Sequence, residues 1–147
     1  MKSSATVIAI LAIAVLSLLI VTVLKRKLYA ALYAALMGRN LGYFFAHVDG
    51  GLTRAMVPIF SRESLRLSAY IQLDEPERVK EQFNSVMKLC VNDGQRINTL
   101  TLGHRYYEEK DDRAKSQRIF EELRRLLTKE QLQQYQQANR KLKRRTA

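Results

Sequence analysis

Apolar residues recur along most of this chain at the spacing of α-helices, after one long apolar run near its beginning. The run covers residues 5–24 and contains no charged residue. At about 1.5 Å of rise per residue, a helix of this length measures roughly 30 Å, which is the thickness of the hydrocarbon core of a bilayer. The pattern therefore predicts an N-terminal transmembrane helix.

Basic residues follow this run directly. Lys25, Arg26 and Lys27 are typical of a stop-transfer flank, so residues 1–27 are interpreted as a retained anchor rather than a cleaved signal peptide. The alanine pairs at 30–31 and 34–35 leave processing open as an alternative. Because Lys and Arg stay preferentially on the cytoplasmic side, we expect a single-pass protein of the cell membrane with a cytoplasmic C-terminal domain. An exported domain that faces the envelope is the alternative.

Beyond the flank, apolar residues recur at positions i, i+3, i+4 and i+7, which is the pattern of amphipathic helices. We predict a juxtamembrane helix over 28–39, a helical-hairpin domain over 40–127, and a C-terminal helix with a basic tail over 128–147. Phe83 and Phe120 are expected to be core rings. The predicted fold is all-α, with the transmembrane helix followed by a small antiparallel array of helical hairpins or by a helical bundle.

Residues that favour helix starts stand between these stripes. Pro76 follows Asp74-Glu75 and fits a first helical position, where the missing N–H of proline costs nothing. The pair at 111–112 can accept free backbone N–H groups of the next helix. Thr128 and Gln131 have the spacing of a capping box. Each signal predicts that a helix begins beside it.

Composition agrees with a helical protein. The 147 residues include only two prolines and six glycines, which argues against a β-rich chain. The net charge of +11 is concentrated at residues 25–62 and 129–147, each of which has six basic residues and one acidic residue. The one cysteine, Cys90, cannot form an internal disulfide. We expect it to be a small buried group on a helix.

Residues 40–127 resemble degenerate members of the tetratricopeptide family. That family has Leu-Gly in the first helix of a repeat, an aromatic residue three positions after the glycine, and a small residue nine positions later in the second helix. Leu102-Gly103 with Tyr106 matches the first helix, whereas Lys115 replaces the small residue. The resemblance implies an array of paired helices whose concave face binds another protein.

The sequence carries no recognisable catalytic or metal-binding motif. His47 and His104 lack a metal-binding partner at i+3 or i+4, and the carboxylates at 108–112 alternate with basic residues in a polar turn. Gly50-Gly51 lacks the Lys-Ser/Thr of a phosphate-binding loop. His47 is expected to bind a carbonyl at a helix end, and His104 to lie at a helix boundary. We therefore expect no catalytic residue, no metal, no cofactor and no enzymatic activity.

The C-terminal tail is strongly basic, and three interpretations stay open. It could bind anionic lipid, bind nucleic-acid phosphates, or be a solvated helix end whose cations complement the helix dipole. The residues of this candidate anionic-surface site are Arg140, Lys141, Lys143, Arg144 and Arg145.

These patterns favour a protein that works by binding rather than by catalysis. The expected function is that of a helical adaptor or scaffold, anchored in the lipid bilayer, that binds an unidentified protein partner at the cytoplasmic face. The alternatives are binding of anionic lipid or nucleic acid through the basic tail, and a helical domain exported to the envelope. Nucleic acid is the less favoured of the tail's partners.

Overall fold

The structure is a computed structural model that describes the backbone of residues 2–146, and the side chains of residue 8 and residues 10–141. Nearly all of this described backbone is α-helical, and it contains no strand. The all-α prediction is confirmed. The helices are α1 (Lys2–Met37), α2 (Leu41–Val48), α3 (Gly51–Met56), α4 (Ile59–Leu73), α5 (Pro76–Leu89), α6 (Asp93–Glu109), α7 (Arg113–Leu126) and α8 (Lys129–Thr146).

The predicted N-terminal transmembrane helix is wrong for the described part of the chain. Among the described residues, no helix combines the length and the apolar character needed to cross a membrane. The side chains of residues 5–7 and 9 lie outside the described residues. The cytoplasmic location of the later helices stays a prediction.

The chain divides into two compact units, Met1–Asp74 and Glu75–Ala147. Unit 1 comprises α1 to α4, and unit 2 comprises α5 to α8. The domain boundaries predicted after residues 27, 39 and 127 stay predictions about domain organisation. One observation bears on them: α1 is a continuous helix of 36 residues that passes through residues 27 and 28 without a break.

The two halves of α1 differ in their surroundings. Its C-terminal half packs in unit 1 with α2, α3 and α4. In its N-terminal half, the described large apolar side chains between residues 8 and 23 are 47–71% exposed. The core of unit 1 is formed by apolar side chains at helical spacing, namely Leu32, Ala35, Leu36, Phe44, Val48, Leu65 and Ala69, with Leu41 and Phe45 packed against them.

The helix starts in unit 2 follow the signals in the sequence. Pro76 is the first residue of α5. The side chain of Asp112 caps α7 by accepting a hydrogen bond from the backbone N–H of Lys115 at 3.1 Å. At α8, the N–H of Thr128 donates to Gln131 Oε1 (3.0 Å) and the N–H of Gln131 donates to Thr128 Oγ1 (3.3 Å), which is a complete capping box. All three predicted helix starts are confirmed.

Candidate protein-binding groove

The groove lies in unit 2, where α5 packs beside the hairpin of α6 and α7. Gly103 of α6 sets the approach of α5, because a Cβ at this position would overlap the ring of Phe83. The absence of a side chain lets the Phe83 ring lie against the backbone of α6. A short turn at residues 110–112 joins α6 to α7, and these two helices have the most extensive contact in the chain. Three helices thus enclose the space between Phe83 and α7.

This space is a surface groove of about 340 Å³. Its floor is apolar: Tyr107 and Ile119 are buried and Phe83 is half-buried. Its rim is polar and mainly basic, and is formed by Lys80, Asn84, Lys115, Arg118 and Glu122. We call these lining residues the basic groove.

Only part of the positive charge in the basic groove is neutralised within unit 2. The Lys115 ammonium lies 2.9 Å from Asp112 Oδ2 and 4.9 Å above the ring of Tyr107. The hydrogen bond from Lys115 lowers the pKa of Asp112, and the same bond raises the pKa of Lys115. Lys80 and Arg118 form no ion pair with any described residue. Two exposed cations therefore stand at the rim of an apolar floor without a carboxylate partner.

A second pocket, of about 590 Å³, lies on the other side of the α6–α7 hairpin and is mainly acidic. Glu108, Asp111 and Glu121 line it, and the guanidinium of Arg113 donates through Nε to Asp111 Oδ1 at 3.1 Å. Tyr107 lines both pockets. Burial raises the pKa of the Tyr107 hydroxyl, and the charge of Lys115 partly opposes that rise. Of the four carboxylates predicted for a solvated turn, Glu108 and Asp111 line this pocket, whereas Glu109 is exposed and Asp112 caps α7.

His104, which was expected at a helix boundary, is instead buried within α6, with 6% of its surface exposed. That prediction is wrong because a partner distant in sequence covers the ring: the Tyr135 hydroxyl of α8 lies 2.6 Å from His104 Nδ1. Burial raises the pKa of Tyr135 to about 12. Asn139 of α8 also donates to Glu108 Oε2 at 2.8 Å. These two bonds attach α8 to α6.

The other two residues considered for chemistry have local roles. His47 Nδ1 lies 2.8 Å from the carbonyl oxygen of Tyr43, the third residue of α2, so the predicted bond to a helix-end carbonyl is wrong. Cys90 is half-buried at the end of α5, and its thiol donates to the carbonyl oxygen of Val86 at 3.3 Å. Among the described residues, no three His, Cys, Asp or Glu side chains are placed to hold a metal ion.

The described side chains of the basic sites predicted from sequence do not line the basic groove. Lys25 and Arg26 line a separate pocket of about 470 Å³ beside the start of α4, and Lys27 is exposed on α1. Arg140 and Lys141 are exposed on α8, whereas the side chains of residues Lys143, Arg144 and Arg145 lie outside the described residues. Sequence reasoning missed Lys80 and Arg118, because in the sequence each is an ordinary basic residue of a helix, and only the fold brings both to one groove.

Comparisons of the chain with protein-family models, with curated proteins and with solved structures find no match. The tetratricopeptide resemblance of residues 40–127 therefore stays a prediction.

Proposed function

We propose that this chain is a helical adaptor, and that its basic groove binds an acidic segment of a protein partner. The observation that carries the proposal is the position of Lys80 and Arg118 at the rim of an apolar floor, with no carboxylate partner among the described residues. A segment with two acidic side chains around an apolar one matches this arrangement. Its carboxylates would pair with the two cations, and its apolar side chain would cover the ring of Phe83.

Two features of the basic groove favour a protein segment over nucleic acid. Nucleic acid strands bind by stacking successive bases on exposed aromatic faces, whereas the groove offers only the ring of Phe83, because Tyr107 is 7% exposed and lies under the ammonium of Lys115. Glu122 also stands in the rim, where it would repel a continuous line of phosphates. A short segment can place its carboxylates beside Lys80 and Arg118 and avoid Glu122.

Site-specific photo-cross-linking tests this proposal. A photoreactive amino acid at Asn84, in the rim of the groove, should capture one protein in the cell of origin. The charge reversals Lys80→Glu and Arg118→Glu, made together, should reduce that capture by at least about tenfold, because they replace attraction with like-charge repulsion. Capture should also decrease as salt is raised, since exposed charge pairs are screened.

The matched control is Lys88→Glu with Arg125→Glu. These residues are exposed on the same two helices, α5 and α7, but do not line the groove. The control makes the same change in net charge, so it should leave capture from Asn84 unchanged. Equal losses in the two double variants would mean that overall charge, and not the groove, attracts the partner. Efficient capture of nucleic acid or lipid instead of a protein would also contradict the proposal.

A further inference from the structure

Three arginines of unit 1 surround a single carboxylate oxygen. Asp49 follows α2 directly, and its Oδ1 lies 2.6 Å from Arg66, 3.7 Å from Arg62 and 3.8 Å from Arg54. Arg62 and Arg66 are one helical turn apart on α4, so they project from the same face, and Arg54 comes from α3. We call Arg54, Arg62 and Arg66 the arginine cluster.

Asp49 satisfies only one member of the arginine cluster. The contact with Arg66 has hydrogen-bond length, whereas the contacts of 3.7 and 3.8 Å with Arg62 and Arg54 are too long for hydrogen bonds. Arg66 also binds Glu63 Oε2 at 3.2 Å. Three guanidinium groups therefore face two carboxylates, and the excess positive charge lies with Arg54 and Arg62.

The buried side chain of Arg62 has a hydrogen-bond donor without an acceptor. It is buried, with 9% of its surface exposed, and its Nε is fully buried without a hydrogen-bond partner. Buried polar groups are nearly always hydrogen-bonded, because desolvation without a partner costs free energy. A phosphate in the place of Asp49 would give the Arg62 guanidinium a hydrogen bond that the 3.7 Å contact of its Nη1 does not make.

The geometry points to a phosphate monoester group as the ligand of the arginine cluster. A carboxylate is already present in Asp49, and its two oxygens leave Arg62 and Arg54 without hydrogen bonds. A phosphate monoester has three acceptor oxygens in a tetrahedral arrangement, so each guanidinium can receive its own oxygen. The side chains of Arg54 and Asp49 are 63% and 46% exposed, which leaves a path from solvent to the cluster.

In this proposal Asp49 occupies the place of the ligand when no phosphate is bound. Its carboxylate contacts the same three guanidinium groups that would hold the phosphate, and two anions at this distance repel each other. Asp49 must therefore turn away when phosphate binds. Removing its charge makes binding easier, whereas removing an arginine makes it harder. These opposite effects separate a built site from general attraction to positive charge.

Isothermal titration of the full chain with inorganic phosphate and with phosphoserine tests the inference. Both should bind saturably, and acetate should not compete. Arg54→Gln and Arg62→Gln should each weaken binding by about 10- to 100-fold, the range for loss of a charge-assisted hydrogen bond. Asp49→Asn should strengthen binding. Lys27→Gln, which removes an exposed cation of α1 outside the cluster, should have no effect.

Circular dichroism of each variant shows whether the helices are intact. Arg62 is buried, so if its variant fails to fold, the exposed Arg54 still provides the test. Absence of saturable phosphate binding would overturn the inference, as would competition by acetate. Weaker binding in Asp49→Asn, or equal losses in Lys27→Gln and Arg54→Gln, would also overturn it. The arginine cluster and the basic groove belong to different units, so neither proposal depends on the other.

Discussion

Both units bury polar side chains, but the two of unit 1, Thr53 and Arg62, are not members of its central cluster. The central cluster of unit 1 is entirely apolar, with Phe44 and Val48 fully enclosed by residues of α1 and α4. In unit 2, buried Leu100 and Leu123 are accompanied by polar groups such as Thr99 and His104. An apolar core is stabilised by buried area and packing, so it should respond to changes of volume. A core with polar groups also depends on individual hydrogen bonds, so it should respond to pH and to single-atom changes.

The largest expected effect tests the apolar core of unit 1. Phe44→Ala should lower the free energy of unfolding by about 3–5 kcal/mol, because it removes a fully enclosed ring and leaves a cavity. Denaturant unfolding of the full chain, followed by circular dichroism, measures the loss. The neighbouring Tyr43 is 44% exposed, so Tyr43→Ala should have a much smaller effect. Similar losses in the two variants would show that unit 1 lacks a packed centre.

Close packing in unit 2 is tested by Gly103→Ala, which should cost about 1–3 kcal/mol because the new methyl group displaces the ring of Phe83. Gly94→Ala in the same helix is the control, since a Cβ there meets only ordinary contact with Asn92. Alanine favours helices more than glycine, so the control should be neutral or slightly stabilising. The same sign of change at both positions would contradict a close approach at Gly103.

The exposure of Phe83 corrects a prediction made from the sequence. Phe83 and Phe120 were expected to be core rings, but the structure shows both half-buried at the edges of pockets. Phe83→Ala should therefore cost less than Phe44→Ala in the same unfolding measurement. A loss at Phe83 as large as at Phe44 would mean that the basic groove is closed rather than open to a partner.

The polar core of unit 2 predicts a dependence on alkaline pH. Tyr135 has its pKa raised from 10.0 to about 12, so the unfolded chain loses this proton at lower pH than the folded chain. The contribution of Tyr135 is thus complete below pH 10 and decreases as pH rises toward 12. Thermal unfolding of the wild type should show this decrease, and Tyr135→Phe should show less of it. At neutral pH, Tyr135→Phe should cost about 1–2 kcal/mol, because it leaves buried His104 without the hydroxyl.

The smallest effect concerns the start of α7. Asp112→Ala removes the side chain that caps this helix and binds Lys115, so the melting temperature should decrease slightly at neutral pH. The pKa of Asp112 is lowered from 3.8, so its contribution is present above that pH and is lost as pH falls through the folded-state pKa. The difference between wild type and variant should therefore diminish in acid. Glu109→Ala, at an exposed position of α6, should not reproduce it.

Features that depend only on residues close together in the chain, such as helix starts, could be predicted from the sequence. Helix starts at Pro76 and Thr128 were identified correctly, because proline geometry and capping boxes act within one turn of chain. The basic groove could not be predicted, since Lys80 of α5 and Arg118 of α7 line the same groove only in the folded chain, where Phe83 packs on Gly103. The burial of His104 likewise depends on a tyrosine 31 residues away.

The apolar N-terminal half of α1 illustrates a different limit of sequence reasoning. An uncharged run of residues has the same composition whether its helix is exposed, covered by protein or surrounded by lipid. The transmembrane interpretation rested on counting residues 5–24, and among the described residues no helix has the length and the apolar character to cross a membrane. Composition therefore predicted the helix correctly, but composition alone does not determine what surrounds it.

The continuity of α1 has a mechanical consequence for unit 1. The helix extends for about 54 Å without the proline or glycine that most often kinks a helix. In its C-terminal half, Leu32 and Leu36 are buried in the core of unit 1. In its N-terminal half, the described large apolar side chains are exposed. Because the helix is continuous through residues 25–27, we expect a force on its exposed half to reach α2, α3 and α4 through the half that packs with them.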